Sequence, residues 1–232
     1  MERKTLRRVL AGTTATLLVA AVAGGATAGR EGDRTASVKH ELKSGKAKNV
    51  ILLIGDGLGD SEITIARNYT VGAAGRLALD EVPLTGQMTT YSVLETDPTK
   101  PDYTPESAST ATAWSTGSKT SDGRISTTPL TDEDLRTIID VAQEQGKLTG
   151  NVATSEISDA TPAAPMANVR SRSCQGPQDM GSCPQDKKSA GGPGSIAEQS
   201  VDNGVDVLLG GGKARYDQVI DGGPDAGKTV IQ

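Results

Sequence analysis

The chain reads as an α/β protein, a three-layer sandwich with a mostly parallel central sheet, and three strand patterns separated by helical ones support that reading. The first strand pattern is Asn49-Val50-Ile51-Leu52-Leu53-Ile54-Gly55, a continuous apolar run that ends in Asp-Gly. A run without alternation suits a strand covered on both faces, the usual situation in a parallel sheet. Thr131–Gln145 has the pattern of a helix. Thr131 can cap it, Asp132, Glu133 and Asp134 suit its N-terminal dipole, and Leu135, Ile138, Ile139 and Ala142 share one face. Gly146 stops it, and Leu148–Ala153 supplies the second strand. Ser195 and Glu198 form a capping box that opens a short helix to about Asp202. Asp206–Leu209 is the third strand, broken by Gly210-Gly211-Gly212, and the Gly/Ser/Pro/Lys-rich stretch 175–194 is an excursion loop. At 232 residues the chain is long enough for one sizeable core.

The N-terminus is of a different kind. Arg3, Lys4, Arg7 and Arg8 precede the short apolar run Leu17–Ala23, and Ala26-Thr27-Ala28 is a small-x-small cleavage pattern. Basic, apolar and small residues in that order describe a secretory signal over residues 1–28. The apolar run is far short of the roughly 20 residues that a membrane span needs. Arg7-Arg8 is also a faint twin-arginine feature. Residues 29–48 are polar and without apolar period, an arm ahead of the catalytic region 49–232. The leader carries net +3, so the remainder stands at −8 against −5 for the whole chain. An acidic exported protein with five aromatic residues is not built for nucleic acid. Any anionic substrate must be met by local positive charge, from metal ions or a placed arginine. Cys174 and Cys183 are expected to pair in an oxidising compartment; a zinc site would need four ligands, and no further cysteine or nearby histidine exists.

Asp56 follows the first strand directly and Asp159 lies just beyond the second, at the strand ends where ligands bind in open α/β sheets. Gly55-Asp56-Gly57-Leu58-Gly59-Asp60-Ser61-Glu62-Ile63-Thr64 resembles the metal-binding loop of bacterial alkaline phosphatases. Glu106-Ser107-Ala108-Ser109-Thr110-Ala111-Thr112-Ala113-Trp114-Ser115-Thr116-Gly117 resembles their nucleophile motif. Asp159-Ala160-Thr161-Pro162-Ala163-Ala164, with Arg172 downstream, resembles their magnesium- and phosphate-binding segment. The resemblance runs in order from about Lys48 to Lys228.

This likeness implies a phosphomonoesterase with two zinc ions and one magnesium ion, working as a homodimer. Ser107 would be the nucleophile, forming a covalent phosphoserine that water cleaves. A zinc ion would hold its oxygen as an alkoxide. Asp56 would bridge zinc and magnesium, and Asp159 and Thr161 would offer hard oxygens to magnesium. Arg172 would clamp two phosphate oxygens, a task that suits a planar guanidinium. The Ala/Thr-rich run after Ser107 is compatible with a helix whose N-terminus faces the phosphoryl group. Glu106 replaces the aspartate that the family usually has beside its serine. His40 is the sole histidine and matches no ligand of the family's zinc ions, so the chain is expected to be the N-terminal part of the enzyme, inactive alone. A phosphodiesterase or sulfatase of the same superfamily, or a non-catalytic metal- or phosphate-binding fragment, are the alternatives. Gly222–Thr229 fits the spacing of a P-loop, but only three residues follow it, too few for the helix that a P-loop must open.

Overall fold

The computed structural model describes residues 39–40, 47–82 and 84–231. The expected leader 1–28 and nearly all of the arm 29–48 lie outside the described residues. In chain order the elements are helix α1 (Asp60–Thr70), a 3₁₀ turn (Ala78–Glu81), β1 (Ser92–Leu94), β2 (Asp97–Asp102), α2 (Ser107–Thr116), α3 (Ile138–Glu144), β3 (Gly150–Glu156), α4 (Ala160–Ala163), two 3₁₀ turns (Pro177–Ser182 and Lys188–Ala190), α5 (Ile196–Asp202), β4 (Val207–Gly211) and α6 (Lys213–Tyr216). β3 and β4 pair in parallel, with Asn151 opposite Leu208 and Val152 opposite Leu209. β1 and β2 form an antiparallel hairpin. Among the described residues no helix is long and apolar enough to cross a membrane.

Three sequence expectations change. Asn49–Gly55 forms no strand ladder, and Val50 to Ile54 are exposed. Its ends are nevertheless tied to residues on either side of β3: Lys147, ahead of it, donates through Nζ to the carbonyls of Ala47 (3.0 Å) and Lys48 (2.9 Å), and Thr161, beyond it, donates through Oγ1 to Asp56 Oδ2 (2.6 Å). The segment thus runs in the same direction as β3 without taking its backbone bonds. Beyond Gly57, at φ +70°, the expected metal-binding loop turns into α1, which an Arg67–Asp80 ion pair (2.6 Å) fixes to the following 3₁₀ turn.

The helix expected over Thr131–Gln145 starts only at Ile138. Leu130 and Asp132 adopt left-handed φ values (+63° and +58°), and Thr128 and Ser126 bond back to Glu133 and Leu135. Asp132 is held by the buried Arg124, and that ion pair overrides the local helix preference. The cap moves to Thr137, whose Oγ1 accepts from Asp140 N while Asp140 Oδ2 accepts from Thr137 N (2.7 Å). The third change is small: β4 continues through Gly210 and Gly211 instead of breaking there, and at Gly210 a Cβ would stand 2.9 Å from that of Ile157. α5 falls where the sequence puts it, with its Ser195/Glu198 capping box, and β3 overlaps the expected strand but starts two residues later and ends three residues later.

One cluster of buried residues, Ile139, Ile157, Met166, Ala197 and Tyr216, packs against Ala153 of β3 and Leu208 of β4, and the larger cluster lies under α2. Ala108 and Ala111 face Ala160, Ala163 and Ala164, and these small side chains let α2 and α4 approach closely. Ile125, Val169, Met180 and Ile196 complete the cluster, together with the Cys174–Cys183 disulfide that the sequence led us to expect. Ile125 and Val169 exchange both backbone hydrogen bonds (3.0 Å each), which sets the approach of the chain to Arg172.

Candidate active site

Ser107 is the first residue of α2, and Glu106 is the cap before it. The Glu106 carboxylate accepts from the backbone N–H of Ala108 (2.9 Å) and Ser109 (3.0 Å), satisfying donors that a helix start leaves open. A third backbone donor, Gly123 N, reaches the same carboxylate at 2.9 Å. α2 closes on Gly117 at φ +79°, a left-handed stop that glycine adopts without strain.

Arg172 gathers the site. Its Nη1 donates to Ser107 Oγ (2.8 Å) and to Glu106 Oε2, and its Nη2 donates to Asp159 Oδ1 (2.8 Å). Asp159 in turn caps α4, accepting from Ala160 N at 2.7 Å. Thr161, within α4, holds Asp56 through the 2.6 Å bond already described. The five residues singled out in the sequence therefore form two contact groups: Ser107, Arg172 and Asp159 in one, Thr161 and Asp56 in the other. The short helix α4 joins them.

The electrostatics keep both partners of the arginine pair charged. Burial works to raise the Glu106 pKa, but the N–H groups of Ala108, Gly123 and Ser109, with Arg172, outweigh it and hold the carboxyl below its ordinary value. Burial works to lower the Arg172 pKa, and the bonds to Asp159 and Glu106 outweigh that in turn and raise it. A permanently charged guanidinium beside a half-buried serine hydroxyl is an anion site with a potential nucleophile in it.

The candidate metal donors are all oxygens: two carboxylates, Asp56 and Asp159, and two hydroxyls, Ser107 and Thr161. Such a set fits a hard cation such as magnesium. Among the described residues no group of three or more His, Cys, Asp or Glu is arranged to hold a metal ion of either kind, so these donors form only part of a metal site. The Gly222–Thr229 segment is a turn, closed by Gly227 N to Ile220 O (3.0 Å), with Lys228 paired to Asp225 (2.9 Å). It opens no helix.

Sequence reasoning missed two features. Arg124 is buried and bonds to Glu95 of the β1–β2 hairpin as well as to Asp132. Gly123, beside it, touches both Glu106 and the backbone of Arg172. The Asp122-Gly123 dipeptide is a readable turn signal. Its partners are not readable, because the contacts are made by main-chain atoms.

The family model described as alkaline phosphatase matches residues 47–231. Over 186 residues the chain is 52% identical to the streptomycin-6-phosphate phosphatase of Streptomyces griseus, covering 80% of this chain and 41% of that protein. Alkaline phosphatase H of Pseudomonas aeruginosa is 48% identical over 202 residues, covering 86% and 42%. Among solved structures, the cold-active alkaline phosphatase of a psychrophilic Shewanella species superposes with a TM-score of 0.54 at 28% identity, covering 71% of this chain and 36% of that one. The chain spans about two fifths of the length of these curated relatives.

Proposed function

Because this chain belongs to the alkaline phosphatase family, we propose that the protein carrying it hydrolyses phosphate monoesters through a phosphoserine on Ser107. The observation that carries the proposal is the contact of Arg172 with both Ser107 Oγ and Asp159 Oδ1, each at 2.8 Å. It sets a serine oxygen and a bidentate anion receptor side by side at a helix start.

In the first step Ser107 Oγ attacks phosphorus and a serine O–P bond forms. The ester P–O bond breaks, the serine proton is lost, and the alcohol leaves after gaining a proton. In the second step water cleaves the serine ester, returning the hydroxyl and releasing inorganic phosphate. Arg172 binds two phosphate oxygens and offsets their charge as the phosphoryl group transfers. Glu106 keeps the guanidinium aimed, fixed itself by three backbone N–H groups.

Members of this family work with metal ions. We assign magnesium to Asp56, Asp159 and Thr161, and to Asp56 and Ser107 a share in holding zinc. Bound there, the ions would supply the positive charge that favours an ionised serine and a neutralised phosphate. Two zinc ions, one magnesium ion and a homodimer belong to the same reading of the whole enzyme. So does export by residues 1–28, which the Cys174–Cys183 disulfide supports, since such bonds persist in oxidising compartments.

The test uses the metal-loaded enzyme of the relatives' full length. Acid-quenched turnover of p-nitrophenyl phosphate should leave a phosphoryl group on Ser107, located by mass spectrometry. Ser107→Ala should remove it and lower kcat by roughly a thousandfold or more. The 232-residue chain alone should show negligible zinc-dependent turnover, because its sole histidine, His40, matches none of the family's zinc ligands. A phosphoryl group on another residue, or a Ser107→Ala enzyme of normal kcat, would overturn the proposal.

A further inference from the structure

We infer that Gly123 is a positioning residue for Arg172, holding that side chain from both ends; the inference rests on Arg172 as the phosphate clamp. One residue makes both connections. Gly123 N donates to Glu106 Oε1 (2.9 Å), and the other oxygen of that carboxylate takes Arg172 Nη1. Gly123 O accepts from the backbone N–H of Arg172 itself at 2.6 Å. The guanidinium and the main chain it hangs from are thus referenced to a single peptide unit.

Three things keep that unit in place. Ser109 Oγ donates to Asp122 Oδ1 (2.8 Å), which ties the turn to the nucleophile helix α2. On the other side, the buried Arg124 donates twice to Glu95 (2.8 and 2.7 Å) and is paired to Asp132. Beyond it, the Ile125–Val169 exchange, an isolated antiparallel bridge, aligns the two loop segments that carry Gly123 and Arg172. The geometry requires glycine for one reason only. Gly123 sits at φ +83°, a left-handed value that side chains rarely adopt, yet nothing lies within 4 Å of where a Cβ would stand. A substitution here therefore strains the backbone angle without a steric clash. The peptide would rotate away from that angle, carrying its N–H and C=O off Glu106 and Arg172.

The consequence is catalytic, since misplacement by about an ångström can cost a large factor in binding or rate. The probe is inorganic phosphate as a competitive inhibitor of the full-length, metal-loaded enzyme. Gly123→Ala should raise its inhibition constant about tenfold, and Gly123→Asn, whose side chain tolerates left-handed φ, only about threefold. The decisive measurement is a double-mutant cycle with Arg172→Ala. If Gly123 acts through Arg172, Gly123→Ala should change the constant by less than about twofold once the arginine is gone. A change that persists in the Arg172→Ala background, or wild-type phosphate inhibition in Gly123→Ala, overturns the inference. Should Gly123→Ala not fold, Ser109→Ala, which frees the turn from α2, goes through the same cycle. There an about threefold effect confined to the Arg172 background supports the inference, and no effect overturns it. A parent enzyme that neither hydrolyses phosphate esters nor is inhibited by phosphate would show that the proposed function has failed, before any variant is made.

Discussion

Around Ser107 the chain packs as a closed unit, whereas along the sheet only one side is covered, by the cluster of Ile139, Ile157, Met166, Ala197 and Tyr216, and apolar side chains elsewhere on it stand in solvent. Ala108, Ala111, Ile125, Val169, Cys174 and Ile196 are buried under α2. Leu53 is 88% exposed and Val152 70%, although both come from segments with strand patterns. The arginine–serine arrangement belongs to the first region, and Asp56 sits at the end of the second. The contrast teaches that the half of the site around Arg172 and Ser107 is built from contacts the chain makes with itself. The half around Asp56 hangs on one hydrogen bond, Thr161 to Asp56, at an exposed position.

The largest effect that should separate the two regions comes from the disulfide. Cys174 and Cys183 are fully buried and close the loop just beyond Arg172. Replacing both by serine should lower the unfolding free energy by about 3 kcal/mol, because the unfolded chain regains its loop freedom. Two hydroxyls would also be left in an apolar core. Denaturant titration of the oxidised parent and the double variant measures this. A loss below about 0.5 kcal/mol would mean that the packing under α2 contributes far less than its burial implies.

A smaller effect should follow pH through Glu95. The bonds from Arg124, above all, with Ser121 and the Leu130 N–H, lower its pKa from 4.5 to about 2 against the opposing effect of burial. A carboxyl with a depressed pKa stabilises the folded state fully above 4.5 and loses that contribution as the pH falls towards about 2. The Glu95 side chain is 42% exposed, so solvent screening reduces the contribution to roughly 1 kcal/mol. Between pH 5 and pH 2 the parent should therefore lose about 1 kcal/mol more than Glu95→Gln does, by urea unfolding at each pH. Equal losses in the two proteins would detach the hairpin from the packed unit.

How much of this was legible in the sequence depended on the range of the forces involved. α5 was readable because Ser195 and Glu198 cap it from within their own four residues. α3 was misread by seven residues at its start, because Arg124 takes Asp132 out of the helix, and that pairing is not encoded in local propensity. The apolar run Asn49–Gly55 announces a demand for burial, but a pattern of side chains cannot say whether backbone partners are present. Strand ends point to Asp56 and Asp159, and family resemblance to these and to Ser107, Thr161 and Arg172; that Arg172 reaches Ser107 across 65 positions is visible only in the fold. Gly123 left no trace beyond a turn dipeptide, since its contacts use atoms that every residue has.

The smallest expected effect tests the open region directly. Leu53 lies in the middle of the apolar run, 88% exposed, in a segment that makes no ladder with β3. Burying a leucine is worth roughly 1.5 to 3 kcal/mol, but only when the side chain leaves water on folding. Here it hardly does, so Leu53→Ser should change the unfolding free energy of this chain by no more than about 0.5 kcal/mol. The same substitution removes apolar surface from an unpaired extended segment, so it should also lower the tendency to associate at high concentration. Urea unfolding and light scattering on the parent and variant measure the two quantities. A loss near 2 kcal/mol would mean that the run is covered in solution as its sequence pattern demands, and the contrast between packed and open regions would then disappear.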